Sequence, residues 1–171
     1  TGILGADSRI GAPTLLAIFV LLVAGFGVKA ALMPLHAWLP AAMVAPTPVS
    51  ALLHAVAVVK AGVFGLLRVI YNIFGIDLLE RLGFADWLAM LAGAVILIAS
   101  FKALAQTKIK GRLAWSTISQ LSYIVLAASL LTPLAALAAI IHIANQAFAK
   151  ITMFFVAGAI EHETGNTRID Q

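Results

Sequence analysis

The chain has 171 residues, of which 63% are hydrophobic and 11% are charged, with a formal net charge of +4. An ordinary soluble domain carries about 25% charged residues, so this composition indicates a lipid environment. The basic residues do not cluster on a hydrophilic face with interleaved aromatic residues, which argues against nucleic acid as a partner. The absence of cysteine excludes disulfides, thiolate-held iron–sulfur clusters and thiol catalysis in this chain.

Five segments approach the length of about 20 mostly apolar residues that a membrane-spanning helix needs. They cover residues 12–33, 46–74, 84–105, 113–131 and 133–160. A transmembrane β-barrel would instead show strands of about ten residues that alternate in polarity. The sequence therefore predicts an all-α membrane protein, a polytopic bundle of about five transmembrane helices. Because the chain begins with Thr1 rather than methionine, we expect a fragment of a longer polytopic protein.

Loop charges predict the orientation of these helices. Residues 102–112 carry four basic side chains and no acid, whereas residues 75–86 carry three acids and one arginine. Cytoplasmic loops are enriched in Lys and Arg. We therefore expect 102–112 to face the cytoplasm, together with the turn at 34–45 and the polar tail at 161–171. The expected location is a bacterial cytoplasmic (inner) membrane.

The first segment leads to a lysine next to a helix break. Lys29 follows a long apolar run, and the prolines after it are Pro34, Pro40, Pro46 and Pro48. Proline interrupts the hydrogen-bond ladder of a helix, and a lysine within the membrane costs about 2.5–3.5 kcal/mol on insertion scales. Such a lysine, with freed carbonyls and water as neighbours, can exchange protons. The alternative is a side chain that reaches to the nearby cytoplasmic interface.

The second segment holds Ser50, His54 and Lys60 among apolar residues. Ser50 and His54 share one helical stripe, whereas Lys60 lies about 120° further round the helix. Lys60 is near the centre of its segment, too deep to reach the interface easily. Histidine titrates near physiological pH. Lys60 and His54 are therefore candidates for a proton path, although an intramembrane histidine can also serve only to bind a neighbouring helix.

The fourth segment carries Ser116, Gln120 and Tyr123 on one face. Small polar residues in a membrane helix more often bind a neighbouring helix than line a channel. We therefore interpret this face mainly as a contact between helices.

The fifth segment has the most regular polar pattern in the chain. His142, Asn145, Gln146 and Lys150 have the spacing i, i+3, i+4 and i+8, which predicts a single helix face. Such a stripe is costly in lipid unless it faces water or a polar partner. The cluster at Glu161–Glu163 is interpreted as part of a solvated tail. No acid lies deep within a segment, so we expect the carboxylate partner of the lysines to come from outside this chain.

The residues from Lys29 to Ala55, KAALMPLHAWLPAAMVAPTPVSALLHA, resemble the signature of the antiporter-like membrane subunits. These subunits occur in respiratory complex I, in multi-subunit cation/proton antiporters and in membrane-bound hydrogenases. The resemblance continues through residues 59–62, 109–123 and 142–150. It covers nearly the whole chain, and the first block is highly specific.

The resemblance implies a fragment of an inverted-repeat transporter fold. The family has about fourteen helices, with two inverted five-helix repeats that each contain one broken helix. Residues 1–74 would form the last two helices of the first repeat, a broken helix at about 12–45 and a helix at 46–74. Residues 84–160 would form the first three helices of the second repeat, and residues 161–171 a polar cytoplasmic tail.

The resemblance also assigns roles to individual residues. Lys29 matches the broken-helix lysine that carries protons in the first half-channel, and His54 and Lys60 match positions that connect it to the subunit centre. His142 and Lys150 match the polar axis that passes protons to the second half-channel. Supporting positions would be Ser50, Ser116, Gln120, Asn145 and Gln146. Gln146 departs from members that carry a second histidine there, because an amide relays protons only through hydrogen bonds or water.

The expected function is proton translocation across an energy-conserving membrane, alone or in exchange for sodium, by a lysine, histidine and water relay. Partners would be other subunits of a larger complex, lipid, protons and Na⁺. We expect no cofactor in this chain; NADH, FMN, iron–sulfur clusters or quinone would belong to partner subunits, as would any oxidoreductase activity. Two alternatives remain open: a structural subunit without an ion path, and an electron carrier with haem bound by His54 and His142.

Overall fold

The computed structural model describes residues 2–4, 10–52 and 57–169, and these residues are almost entirely helical. Within them the only strand-like pairing is an isolated antiparallel bridge between Lys108 and Arg168. The α-helices within these ranges are α1 (Ala12–Lys29), α2 (Trp38–Ala41), α3 (Thr47–Ala51), α4 (Val58–Arg68), α5 (Ile76–Leu82), α6 (Phe84–Leu104), α7 (Ile109–Ser129) and α8 (Pro133–Thr164). A π-helical segment, Val69–Phe74, continues α4, and a short 3₁₀ turn, Ala42–Val44, follows α2.

The prediction of an all-helical membrane protein is confirmed. In the described part of the chain, α1, α6 and α8 are each long and apolar enough to cross a membrane. A fourth span results if α4 with its π segment is joined to α5, which it meets at an angle of 87°. Helix α7 is as long as α6 but carries four serines, one threonine and one glutamine. The count of five spans remains a prediction.

Helix α1 ends at Lys29, four residues before the predicted end of its segment. Two hydrogen bonds close the helix: Leu32 N donates to the Gly27 carbonyl, and Ala31 N donates to the Val28 carbonyl. These bonds form a Schellman motif, with Ala31 at a φ of 53°. Glycine is the usual residue there, so the apolar sequence gives little sign of this stop. Beyond it, prolines limit the chain to short helical turns before α4.

The end of α1 lies directly against α4. A Cβ atom on Gly62 would overlap the backbone at Lys29 and Ala30, so only glycine allows this approach. One turn further along α4, a Cβ atom on Gly65 would likewise overlap the ring of Phe26. Small residues at such contacts are the usual means of packing membrane helices closely.

Helices α6, α7 and α8 pack in sequence order, and α8 also lies against α3. The hydroxyls of Ser100 and Ser119 are hydrogen-bonded across α6 and α7 at 3.0 Å. The Arg112 guanidinium donates to the Ala103 and Leu104 carbonyls at 3.2 and 3.1 Å. These bonds add a side-chain donor to carbonyls in the last turn of α6, where regular helical hydrogen bonding ends. Hydrogen bonds therefore hold α7 against α6 both along the two helices and at the turn that connects them.

Replacement of Gly62 by alanine should destabilise the helix packing, because the added methyl group meets backbone rather than a movable side chain. We expect a loss of about 1–3 kcal/mol in unfolding free energy, the usual cost of overpacking a core. Gly93→Ala in α6 is the matched control, since its Cβ would have open space. Thermal unfolding of the full-length protein in detergent measures both. Equal stability of the two variants would contradict the close contact.

Candidate functional site

A row of polar contacts, which we call the α7–α8 polar seam, joins α7 to α8. It consists of Ser116, Gln120, His142, Gln146 and Lys150. The amide Oε1 of Gln120 accepts a hydrogen bond from Gln146 Nε2 at 3.1 Å and lies 3.0 Å from His142 Nε2. One turn from the Gln120–Gln146 contact on each helix, Lys150 Nζ donates to Ser116 Oγ at 2.5 Å. The spacing of four residues on both helices produces this ladder.

The Lys150 ammonium is buried, with a side chain only 4% exposed. Its hydrogen-bond acceptor, the Ser116 hydroxyl, donates in turn to the Leu113 carbonyl at 2.9 Å. Burial of an ammonium group is costly unless hydrogen bonds replace its water. The serine supplies one such bond. The described residues contain no carboxylate paired with this lysine.

A second buried lysine, Lys60, approaches the seam from α4. Its side chain is 8% exposed, and its ammonium acts electrostatically on both His142 and Lys150. Within the described ranges it forms no hydrogen bond or ion pair. Three titratable groups from two helices therefore share one interior region.

The structure brings together most of the polar residues predicted on α7 and α8. The predicted face of Ser116, Gln120 and Tyr123 points at α8, and the Tyr123 ring stands edge-on to His142 with centroids 6.5 Å apart. Asn145 does not join them. It is exposed and lines an apolar groove beside Phe148, since one residue step turns the side chain by about 100° from Gln146.

The remaining predicted residues lie outside the seam. Lys29 is exposed, in a shallow groove formed by residues 21–26 of its own helix. Ser50 is buried, and its hydroxyl donates to the Ala45 carbonyl at 3.1 Å, a local turn contact. His54 lies outside the described residues. The roles of all three remain predictions.

Sequence reasoning missed a contact between Glu161, Lys110 and Thr47. The Glu161 carboxylate pairs with Lys110 Nζ at 2.6 Å and accepts from Thr47 Oγ1 at 3.2 Å. Glu161 therefore holds the ends of three helices together, a role beyond that of a solvated tail residue. A cavity of about 420 Å³ lies beside the pair. The available signal was the spacing of eleven residues, three helical turns, between Lys150 and Glu161.

Two buried polar atoms lack hydrogen-bond partners within the described part of the chain, His36 Nδ1 and Gln146 Oε1. The His36 ring lies against Trp115, with centroids 5.2 Å apart. The described residues offer no group of three or more His, Cys, Asp or Glu side chains that could hold a metal ion. The distinctive chemistry of the interior therefore consists of amines, an imidazole, amides and hydroxyls.

Long apolar helices around buried titratable groups define a multi-pass membrane protein with a polar interior. The chain belongs to the NADH:quinone oxidoreductase/Mrp antiporter transmembrane family, whose pattern matches residues 3–170. This membership confirms the resemblance carried by the Lys29–Ala55 block.

Individual relatives agree with this assignment. The chain is 44% identical over 153 residues to a probable K(+)/H(+) antiporter subunit of Rhizobium meliloti, a match that covers 89% of this chain and 15% of that protein. It is 41% identical over 145 residues to the chloroplastic NAD(P)H-quinone oxidoreductase subunit 5 of Adiantum capillus-veneris, with 85% and 19% covered. The Mrp complex from Dietzia sp. DQ12-45-1b contains a similar structure, with a TM-score of 0.79, 39% identity, and 90% and 17% covered. The chain thus spans less than a fifth of each of these relatives.

Replacement of Ser116 by alanine should leave the Lys150 ammonium without its acceptor. We expect a loss of about 1–2 kcal/mol in unfolding free energy, the cost of an unsatisfied buried group. The double variant Ser116→Ala/Lys150→Met should recover most of it, because both polar partners are then gone. A double-mutant cycle by thermal unfolding measures the coupling between the two residues. Strictly additive losses would contradict the contact.

Proposed function

We propose that this chain is the central part of a proton-translocating, antiporter-like subunit of a larger membrane complex. It would supply five spans, the last two helices of one inverted repeat (residues 1–74) and the first three of the next (84–160). Family membership supports this arrangement. The 102–112 loop, with its four basic residues, would face the cytoplasm of a bacterium.

The observation that carries the proposal is the burial of Lys60 and Lys150 near His142, with no acid among the described residues beside them. Buried ammonium groups within electrostatic range repel each other strongly, because the interior screens charge poorly. Simultaneous protonation of the whole group is therefore disfavoured. A proton that arrives at one member promotes release from another, which is the behaviour that a relay needs.

In the proposed path, Lys29 takes up a proton and passes it by way of Lys60 or His54 to His142 and Lys150. The close contact of Gly62 with the end of α1 supports the first step, since it fixes the lysine-bearing ends of α1 and α4 together. Bound water would bridge the gaps between these groups. Protonation and hydration would respond to chemistry or ion exchange in partner subunits.

The exchange of protons for a metal cation is part of the same proposal. The Rhizobium meliloti relative is named as a probable K(+)/H(+) antiporter component. The Val59–Gly62 segment also favours the cation/proton antiporters over the complex I subunits within the family. Redox chemistry would belong to partner subunits, which would hold any NADH, FMN, iron–sulfur cluster or quinone.

The two alternatives account for less of the geometry. A purely structural subunit explains the amide contacts of the seam, but gives no reason to bury Lys60 without a hydrogen-bond partner in the described residues. A haem carrier would have only Nδ1 of His142 available as a ligand, because Nε2 lies 3.0 Å from Gln120 Oε1, and it would leave the two buried lysines without a role.

Proton uptake into proteoliposomes of the full-length assembly, followed with a pH-sensitive dye, tests the proposal. Lys60→Met should reduce the flux at least about tenfold, the effect expected for removal of one proton-transfer group, with the complex still assembled. Lys29→Ala should have a comparable effect. Lys108→Met is the matched control, because this exposed lysine lies in the 102–112 loop outside the relay. Normal flux in an assembled Lys60→Met complex would instead favour the structural alternative.

A further inference from the structure

The hydrogen bonds around Gln120 fix the position of one proton on His142. The Gln120 Oε1 atom receives the Gln146 amide and lies 3.0 Å from His142 Nε2. A carbonyl oxygen can only accept hydrogen bonds. In this arrangement His142 Nε2 therefore carries a proton, and Nδ1 is the nitrogen that remains free to gain or lose one.

This arrangement leaves one atom unsatisfied. Gln146 Oε1 is buried and has no partner in the described part of the chain, which is an unfavourable state for an acceptor. The carbonyl and amino groups of an amide have nearly the same size, so both amides can reverse without moving other heavy atoms. Gln120 would then donate one N–H to Gln146 Oε1 and the other to His142 Nε2. Gln146 Oε1 then gains a partner, while Gln146 Nε2 takes the buried position that Oε1 leaves.

We propose that Gln120 and Gln146 act as a two-position amide gate on His142, an inference that rests on the relay proposed above. In the open position the Gln120 carbonyl holds the Nε2 proton, and His142 cycles between its neutral and doubly protonated forms through Nδ1. In the closed position the Gln120 amino group occupies the Nε2 lone pair. The single ring proton then sits on Nδ1, so His142 cannot accept another.

The change between positions conserves protons. Closing the gate from neutral His142 requires release of the Nε2 proton and uptake of one at Nδ1, so the imidazole stays neutral. Each position satisfies different groups: the open one accommodates the doubly protonated ring and gives Gln146 Nε2 an acceptor, and the closed one gives Gln146 Oε1 a donor. The pair is thus a two-state element that His142 protonation biases. In family members that carry a second histidine in place of Gln146, that position would instead be another titratable site.

Other groups also face His142 and would affect its titration. Tyr123 stands beside it on α7, Lys60 acts on it from α4, and Lys150 lies two turns along α8. A test by pH dependence alone would mix their effects with that of the gate. The position of the ring proton is a more specific readout.

The experiment compares two nearly isosteric variants that add the same charge, Gln120→Glu and Gln146→Glu. In Gln120→Glu the new carboxylate only accepts, so neutral His142 should keep its proton on Nε2. In Gln146→Glu the carboxylate must receive the Gln120 amino group, which also turns toward Nε2, so the proton should move to Nδ1. A general electrostatic effect would change both variants in the same direction.

Solid-state nitrogen-15 NMR of the histidine-labelled, full-length protein in its complex measures this difference at alkaline pH, where the imidazole is neutral. The His142 signal is assigned by its loss in His142→Gln. Opposite ring-proton positions in the two glutamate variants would support the gate, and the same position in both would overturn it. If Gln146→Glu fails to assemble, Gln146→Met replaces it, with a mixture of both ring forms expected. A single form identical to wild type would then overturn the proposal.

Transport separates this inference from the proposed function. Proton flux should fall about tenfold in Gln146→Glu, the effect of one hydrogen bond to a titratable group. Thr152→Val, an exposed position on α8 whose hydroxyl bonds only its own helix, is the control. Wild-type flux in His142→Gln would refute the relay, whereas the NMR comparison would still decide whether the amides control the ring.

Discussion

The polar seam between α7 and α8 is the contact on which the interior of this protein depends. Lipid is as apolar as the side chains that face it, so membrane helices gain little from apolar burial against one another. Close packing and polar contacts must then hold them together. The buried alanines 114, 128 and 139 keep the helices near each other. The serine, the two amides, the histidine and the lysine of the seam fix the rotation of each helix.

The seam also creates the electrostatic problem that makes the interior reactive. A hydroxyl satisfies only part of what an ammonium group loses on leaving water. Lys60 adds a second amine from α4, which Gly62 holds against the end of α1. The backbone packing of α1 and α4 and the charges beside α8 are therefore parts of one arrangement. A change of packing at the glycine alters the surroundings of the amines.

Helical periodicity and length predicted the segments and much of the seam, because both follow from local geometry. His142, Gln146 and Lys150 repeat every four residues, so a shared face was expected. The partner of each residue on the neighbouring helix could not be predicted. The pairing of Gln120 with His142, for example, depends on how far one helix is shifted along the other. Ala31 stops α1 early in a conformation that its residue type does not favour. Asn145 and Glu161 were misjudged because spacing alone does not show where the neighbouring helices lie.

The loop before α7 and the loop after α8 are joined by backbone hydrogen bonds. Ile109 N donates to the Thr167 carbonyl at 3.0 Å, and Ile169 N donates to the Thr107 carbonyl at 2.8 Å. Together with the Glu161–Lys110 pair, this clasp prevents α8 from sliding along α7. A slip of one turn, about 5.4 Å, would place Gln146 opposite Ser116 and leave Lys150 facing the loop. The short backbone clasp at the helix ends thus sets the axial register, so that each proton-binding group faces its own partner.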